Sequence, residues 1–256
     1  MGAQSIREIV DYLRRLAPAF FAERMRGASD LDIRRLAEAA RAPLCESHRE
    51  FLLLMGATPA TALNPFLNDR DYCVDTLLAA YSDMDLADER LPERIVFFSS
   101  SDILGETLFL RNGQHPDEDP EIGDIRFETG EFILRDKVRF ENWLRWFAFV
   151  FRLSQPEHQL AFAPPWNGEQ RRWEGDPVNI ERILGNLGLQ PTFRLIDGML
   201  CLDRGDVAVS LHDDGSGTLA GDDLQELRKI ANVLDDHVSL SFSLEATHDR
   251  LHAPRS

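Results

Sequence analysis

Arg94-Ile95-Val96-Phe97-Phe98, Glu106-Thr107-Leu108-Phe109-Leu110-Arg111, Asp124-Ile125-Arg126-Phe127 and Glu131-Phe132-Ile133-Leu134 are four short apolar runs, and their reading decides the fold. Each is too short for a helix and rich in β-branched and aromatic residues, so each reads as a strand. Asn112-Gly113 starts a turn between the second and third runs, and Thr129-Gly130 reads as a hairpin turn between the third and fourth. Upstream lies Glu46-Ser47-His48-Arg49-Glu50-Phe51-Leu52-Leu53-Leu54-Met55-Gly56. There His48, Phe51, Leu52 and Met55 share one helical face, and Gly56 stands where a C-terminal stop belongs. His48 is expected as a partly buried packing residue. A broken helical segment at 75–81 follows. Downstream, Phe140-Glu141-Asn142-Trp143-Leu144-Arg145-Trp146-Phe147 opens a helix to residue 153 that is apolar nearly all round, so it needs partners on several faces. The unit is helix–meander–helix with no catalytic motif inside it, which points to a binding module.

Further out, Ile6, Ile9, Val10, Leu13 and Leu16 recur at helical spacing until Pro18 ends or bends the helix. Ser29, with Asp32 three residues on, caps a helix carrying Leu31, Leu36, Ala39 and Ala40. Residues 58–71 and 114–122 read as polar loops. Pro156, Pro164, Pro165, Gly168, Gly175 and Pro177 give 154–177 the composition of a linker, with Trp166 and Trp173 pinning it to a surface. Beyond it comes a helix with Ile180, Ile183 and Leu184, then strands at 192–196, 199–202 and 206–211. A helix at 222–234 and a strand at 238–244 follow, the strand alternating Val238, Leu240, Phe242 and Leu244 with serines. The expected fold class is α+β: N-terminal helices, an antiparallel β-meander and a closing helix over 1–153, a linker over 154–177, and a smaller α+β subdomain over 178–256. Residues 248–256 read as a frayed tail.

Lys and Arg number 28 against 44 Asp and Glu, a net charge of −16. Phosphate backbones repel such a field, which disfavours nucleic acid, whereas a basic protein is drawn to it. Cys45, Cys73 and Cys201 are far apart, with no C-x-x-C pair, as core thiols in a reducing compartment would be. Charges at Arg7 and Glu8 leave no signal-peptide core, and the longest apolar stretch, 146–151, is too short for a bilayer. A soluble, cytoplasmic chain without membrane partners is expected.

Two segments carry candidate chemistry. His212-Asp213-Asp214-Gly215-Ser216-Gly217-Thr218-Leu219-Ala220-Gly221-Asp222-Asp223 resembles a calcium-binding EF-hand loop. Asp214 and Ser216 would ligate by side chain, Gly217 would make the sharp turn, Thr218 would offer its carbonyl, and Asp223 would stand for the bidentate Glu. His212 is a poor first ligand for a hard cation, and the segment before it is strand-like. The alternative is a Gly-rich hairpin turn followed by an Asp-capped helix. The second segment, His115-Pro116-Asp117-Glu118-Asp119-Pro120-Glu121, is a solvated loop, a docking surface or a weak divalent-metal loop. The expected partner-binding set is Asp83, Asp85, Asp88, Glu89, Asp117, Glu118, Asp119 and Glu121. No G-x-S-x-G, Walker, G-x-G-x-x-G or H-E-x-x-H pattern occurs, so neither an enzyme nor a cofactor is expected. His237 reads as a cap at a helix end.

Residues of about 30–150 resemble the SUKH superfamily of Smi/Knr-like domains, common among bacterial immunity proteins. Leu44-Cys45-Glu46-Ser47-His48-Arg49-Glu50-Phe51-Leu52 is similar to that family's first signature helix, with Cys45 where Pro is usual. Ile95-Val96-Phe97-Phe98 with Gly105-Glu106-Thr107-Leu108-Phe109-Leu110 is similar to its strand, Gly-acidic turn and strand, and Phe140-Glu141-Asn142-Trp143-Leu144 to its final helix. The resemblance implies an α+β domain that neutralises a cognate toxin by binding it, the toxin being basic and in many cases a nuclease. An acidic regulatory or scaffold module, calcium-responsive through 212–223, is the alternative.

Overall fold

The computed structural model describes residues 2–58, 71–83, 93–101, 106–126, 131–167, 172–173, 175–195 and 198–244. The chain divides into two compact units, Met1–Ala148 and Phe149–Ser256.

The first unit opens with helices α1 (Gly2–Leu16), α2 (Pro18–Arg24), α3 (Asp30–Ala40), α4 (Glu46–Met55) and α5 (Val74–Asp83). Pro18 stands at the first position of α2, where its missing N–H costs nothing, so the chain breaks and restarts there. Ser29 caps α3 by accepting the Asp32 N–H at 3.2 Å, and Arg41 closes it in the left-handed region at φ 51°. On α4, His48, Phe51, Leu52 and Met55 are all buried, at the 3-4-7 spacing of one face. Gly56 stays right-handed, at φ −69°, rather than turning left-handed as a stop glycine would.

Strands β1 (Ile95–Ser101), β2 (Glu106–Arg111), β3 (Glu121–Arg126) and β4 (Glu131–Arg139) form an antiparallel meander in the order β1-β2-β3-β4. Ile95, Val96, Phe97 and Phe98 are all buried, without alternation, because both faces of β1 are covered. Tyr81 of α5 stacks on Phe97 at 4.1 Å and accepts the Phe97 N–H at 2.7 Å. Phe98 enters a ring cluster with Tyr72, Phe140 and Trp143, at centroid distances of 5.0 to 5.2 Å. The pleat turns successive phenylalanines to opposite faces, and the register shifts between Phe97 and Ser99, leaving Phe98 outside the paired register. Helix α6 (Phe140–Ser154) follows β4 directly, and the division between the units falls inside it. Phe140, Trp143, Leu144, Ala148 and Phe149 are buried, while Trp146, Phe147 and Val150 are half-buried.

The second unit holds β5 (His158–Ala163), the short pair β6 (Trp166–Asn167) and β7 (Arg172–Trp173), α7 (Pro177–Asn186), β8 (Gln190–Arg194), β9 (Leu200–Asp203), β10 (Val207–Leu211), β11 (Gly217–Gly221), α8 (Leu224–Asp235) and β12 (Ser241–Leu244). Its antiparallel sheet runs β12-β5-β11-β10-β9-β8. Alternate residues Leu160 and Phe162, Leu200 and Leu202, and Val207, Val209 and Leu211 share a core with Ile180, Ile183 and Leu184 of α7 and Leu227, Ile230 and Leu234 of α8. The fold class is α+β.

Two expectations are corrected here. The segment 154–177 carries β5, which is paired on both sides, so it is not a linker at 158–163. Between Pro156 and Pro164 the run Gln159-Leu160-Ala161-Phe162 alternates polar or small with apolar, and Leu160 and Phe162 reach the core. The C-terminal strand starts at Ser241 rather than 238, because Val238 N–H still bonds the Leu234 carbonyl of α8 at 2.8 Å. Leu244 is 58% exposed, so the dry face ends at Phe242.

Candidate functional site

The loop 112–120 between β2 and β3 carries Asp117, Glu118 and Asp119 and has a defined geometry. Asn112, buried at its start, donates from Nδ2 to the Pro43 carbonyl at 2.5 Å and from its backbone to Arg94 at 3.0 Å. Glu118 closes the turn: its Oε2 accepts the Gln114 N–H at 2.9 Å and its own N–H reaches the His115 carbonyl at 3.2 Å. The Pro116 carbonyl accepts the Glu46 N–H of α4 at 2.8 Å, and the Pro120 carbonyl accepts the Phe140 N–H of α6 at 3.0 Å. Both helices thus begin against this loop. Asp117, Glu118 and Glu46 are exposed there.

Asp119 and Glu121, expected in the docking set, do other work. The Asp119 carboxylate accepts the Glu141 N–H at 3.1 Å, a cap on the start of α6, and burial pushes its carboxyl up to about 7. Glu121 lies in β3 between Arg111 on β2 and Arg139 on β4 and pairs with both, the latter at 3.4 Å. Cross-strand arginines hold it in the sheet. Of the second group, Asp83 ends α5, while Asp85, Asp88 and Glu89 lie outside the described residues. Through its N–H on the Pro116 carbonyl, Glu46, which lies outside the expected set, starts α4 beside the loop that carries Asp117 and Glu118.

The calcium expectation is corrected. Residues 212–216 make a tight hairpin between β10 and β11, with His212 N–H to the Ser216 carbonyl at 2.8 Å and Gly215, not Gly217, in the left-handed region at φ 82°. Asp214 Oδ1 accepts from both N–H and Oγ of Ser216, a self-contained turn. Thr218 is a strand residue paired with Ser210 and Ala161. Asp223 caps α8, accepting from Gln225 and Glu226 at 2.8 and 3.3 Å. Extended strand rises about 3.3 Å per residue, so β11 holds Asp214 and Asp223 far beyond the roughly 2.5 Å reach of one calcium ion. Gly217 is needed because a Cβ there would lie 2.0 Å from the Ser210 carbonyl and 2.5 Å from Phe162 Cζ. Among the described residues no group of three or more His, Cys, Asp or Glu is placed to hold a metal ion.

Behind the loop, Cys45, Ser47 and His48 crowd the start of α4. Cys45 Sγ lies 3.5 Å from Ser47 Oγ, and burial pushes its thiol up, away from the reactive thiolate. His48 is fully buried, neither ring nitrogen has a hydrogen-bond partner, and desolvation pushes it down to about 3. Without a bond between thiol and imidazole the two do not make a nucleophile–base pair. His237 caps the end of α8 as expected, with Nδ1 2.9 Å from the Val233 carbonyl.

No helix among the described residues is long and apolar enough to cross a membrane. Comparison with protein-family models, with curated proteins and with solved structures finds no match to this chain.

Proposed function

We propose that this chain is an immunity-type binding protein that neutralises a cognate basic toxin by direct contact. The observation that carries the reading is the exposed carboxylate group of Glu46, Asp117 and Glu118, held by backbone bonds where loop 112–120 meets α4, on a chain of net charge −16. Such a face speeds encounter with a cationic protein and disfavours anionic partners. The resemblance of residues 30–150 to the SUKH superfamily supplies the immunity class, and a nuclease is one basic toxin that would fit. The reading includes a cytoplasmic location, no membrane or nucleic-acid partner, and no catalytic activity of the chain's own.

The test uses a basic effector protein that co-purifies with this chain; if none does, the reading fails. Replacing Glu46, Asp117 and Glu118 by Gln, Asn and Gln keeps the acceptor that closes the turn and removes three charges. Association should slow and lose part of its dependence on salt, whose screening length is about 8 Å at physiological ionic strength. An unchanged association rate at low salt counts against this face. Binding of a basic protein that is harmless to cells would favour the second reading, an acidic regulatory or scaffold module using the same surface.

A further inference from the structure

Among the described residues, the two larger sheets end in four edge strands, β1, β4, β8 and β12. Natural sheets protect such edges with prolines, charges, bulges or a covering group. β1 is covered: Asp71 exchanges both backbone bonds with Ser100, and the Tyr81 hydroxyl accepts the Phe97 N–H. β4 shifts register against β3 and carries Glu131, Arg135 and Arg139. β8 shifts register after Pro191 and ends in Arg194. β12 has none of these devices. It pairs with β5 in unbroken register, and Ser241, Ser243 and Leu244 are exposed.

The core of the second unit is also incompletely covered here. Val233, Val238, Leu240 and Phe242 pack on it yet stay half-buried, and Leu244 is 58% exposed. Residues 238–244 read Val-Ser-Leu-Ser-Phe-Ser-Leu, without a charge or a proline. An occupant of this edge must therefore be extended, apolar on one face and uncharged. A basic segment finds no carboxylate in 238–244 to meet. The residues that follow bring Glu245, Asp249, Arg250 and Pro254, charges and a proline that suit neither the apolar face nor the ladder. A second copy of β12 meets all three requirements.

We infer that β12 is a dimer seam, along which two copies of this chain pair antiparallel about a two-fold axis through Phe242, perpendicular to the sheet. That register sets Phe242 against Phe242 of the partner subunit, Leu240 against Leu244 of the partner subunit, and Ser241 against Ser243 of the partner subunit. Such an axis keeps α7 and α8 on the same side of the sheet in both copies. The two open cores meet, and the two six-stranded sheets continue into one. No like charges face each other at the seam, while the net charge of −16 on each copy opposes approach from a distance. One short strand pair buries less than the roughly 1,200 Å² of a standard interface, so the dimer is weak and concentration-dependent. The seam is separate from loop 112–120 and does not depend on the toxin reading.

Sedimentation equilibrium of the full chain over about 5–500 µM tests it. The wild type should pass from monomer toward dimer, and more readily at high salt, where repulsion between the copies is screened. Leu244→Glu sets a charge against the apolar stripe from an exposed position and should raise the dissociation constant at least about tenfold. Val178→Glu makes the same change at a side chain that is 75% exposed on α7, and should leave the dimer intact. A wild type that stays monomeric throughout, or a dimer that weakens as salt rises, overturns the seam. So does a dimer that Leu244→Glu spares or that Val178→Glu also breaks. Should Leu244→Glu fail to fold, amide exchange of the wild type decides. Slower exchange within 241–244 at high concentration supports the seam, and exchange independent of concentration overturns it.

Discussion

The imidazole of His48 meets the ring of Phe140 edge-on, 5.8 Å between centroids at 72°, and neither of its nitrogens has a hydrogen-bond partner. A buried polar group in that state costs about 1–3 kcal/mol. Burial holds the folded imidazole neutral down to about 3, whereas the unfolded chain takes up a proton near 6.5. The unfolded state therefore binds more protons over that window, and stability is lost as pH falls from 6.5 toward 3, by at most about 1.4 kcal/mol per unit. Asp119 has the opposite sign: its contribution is full below about 4 and is lost as pH rises through about 7. His48→Phe should gain on the wild type steadily between pH 6.5 and 4.5 in urea unfolding. A constant difference between the two proteins over that range would show that His48 is not the acid-sensitive group.

Arg152, at the end of α6, is 5% exposed and grips Asp203 through two nitrogens at 3.1 and 3.3 Å while donating to the Gly205 carbonyl at 2.8 Å. Arg152→Ala removes the guanidinium from a carboxylate that is itself largely enclosed and that keeps the Gly205 N–H at 2.8 Å. It should cost about 3–5 kcal/mol, whereas replacing both partners with apolar residues should recover most of the loss. Arg152→Lys should not rescue, because an ammonium cannot reproduce the fork. A single variant that unfolds at the wild-type urea midpoint would contradict this.

Millimolar calcium should leave the melting temperature unchanged, since β11 separates the would-be ligands. Asp223→Ala should nonetheless destabilise, by about 0.5–2 kcal/mol, because two N–H groups of α8 lose their acceptor. A calcium-dependent rise in melting temperature that Asp223→Ala removes would reinstate the ion site.

Gly217→Ala should lower the urea midpoint, at an overpacking cost of about 1–3 kcal/mol, because the new methyl would press on the Ser210 carbonyl and the Phe162 ring. Gly205→Ala tests a different term. A Cβ there meets nothing, so any loss comes from the left-handed φ of 94° alone. Equal losses at the two positions would mean that Gly217 is not held by contact.

What was legible in the sequence was what depends on neighbours in the chain. The face of His48, Phe51, Leu52 and Met55, the cap at Ser29, the break at Pro18 and the four meander strands all follow from spacing within a few residues. Composition misled twice. Prolines flanking Gln159-Leu160-Ala161-Phe162 made a strand look like a linker, and glycines flanking Thr218-Leu219-Ala220 made another look like an ion loop. The candidate site was half legible. Asp117 and Glu118 are exposed as expected, but the roles of Asp119 and Glu121 come from partners distant in the chain, Asp119 capping a residue 22 positions on. His48 looked like any packing residue, since no spacing rule announces a missing hydrogen bond.

The placing of β5 between β11 and β12 has a consequence for how the protein is made. Both of its neighbours are synthesised after it; the Ser241 hydroxyl that reaches Ala163 lies 78 residues further on. At about 5–20 residues per second the nascent strand waits several seconds with both edges open, exposing Leu160 and Phe162. Until β12 arrives, that edge is a template for any passing strand. A message cut short before codon 241 would thus yield a chain that aggregates rather than one merely lacking its last strand.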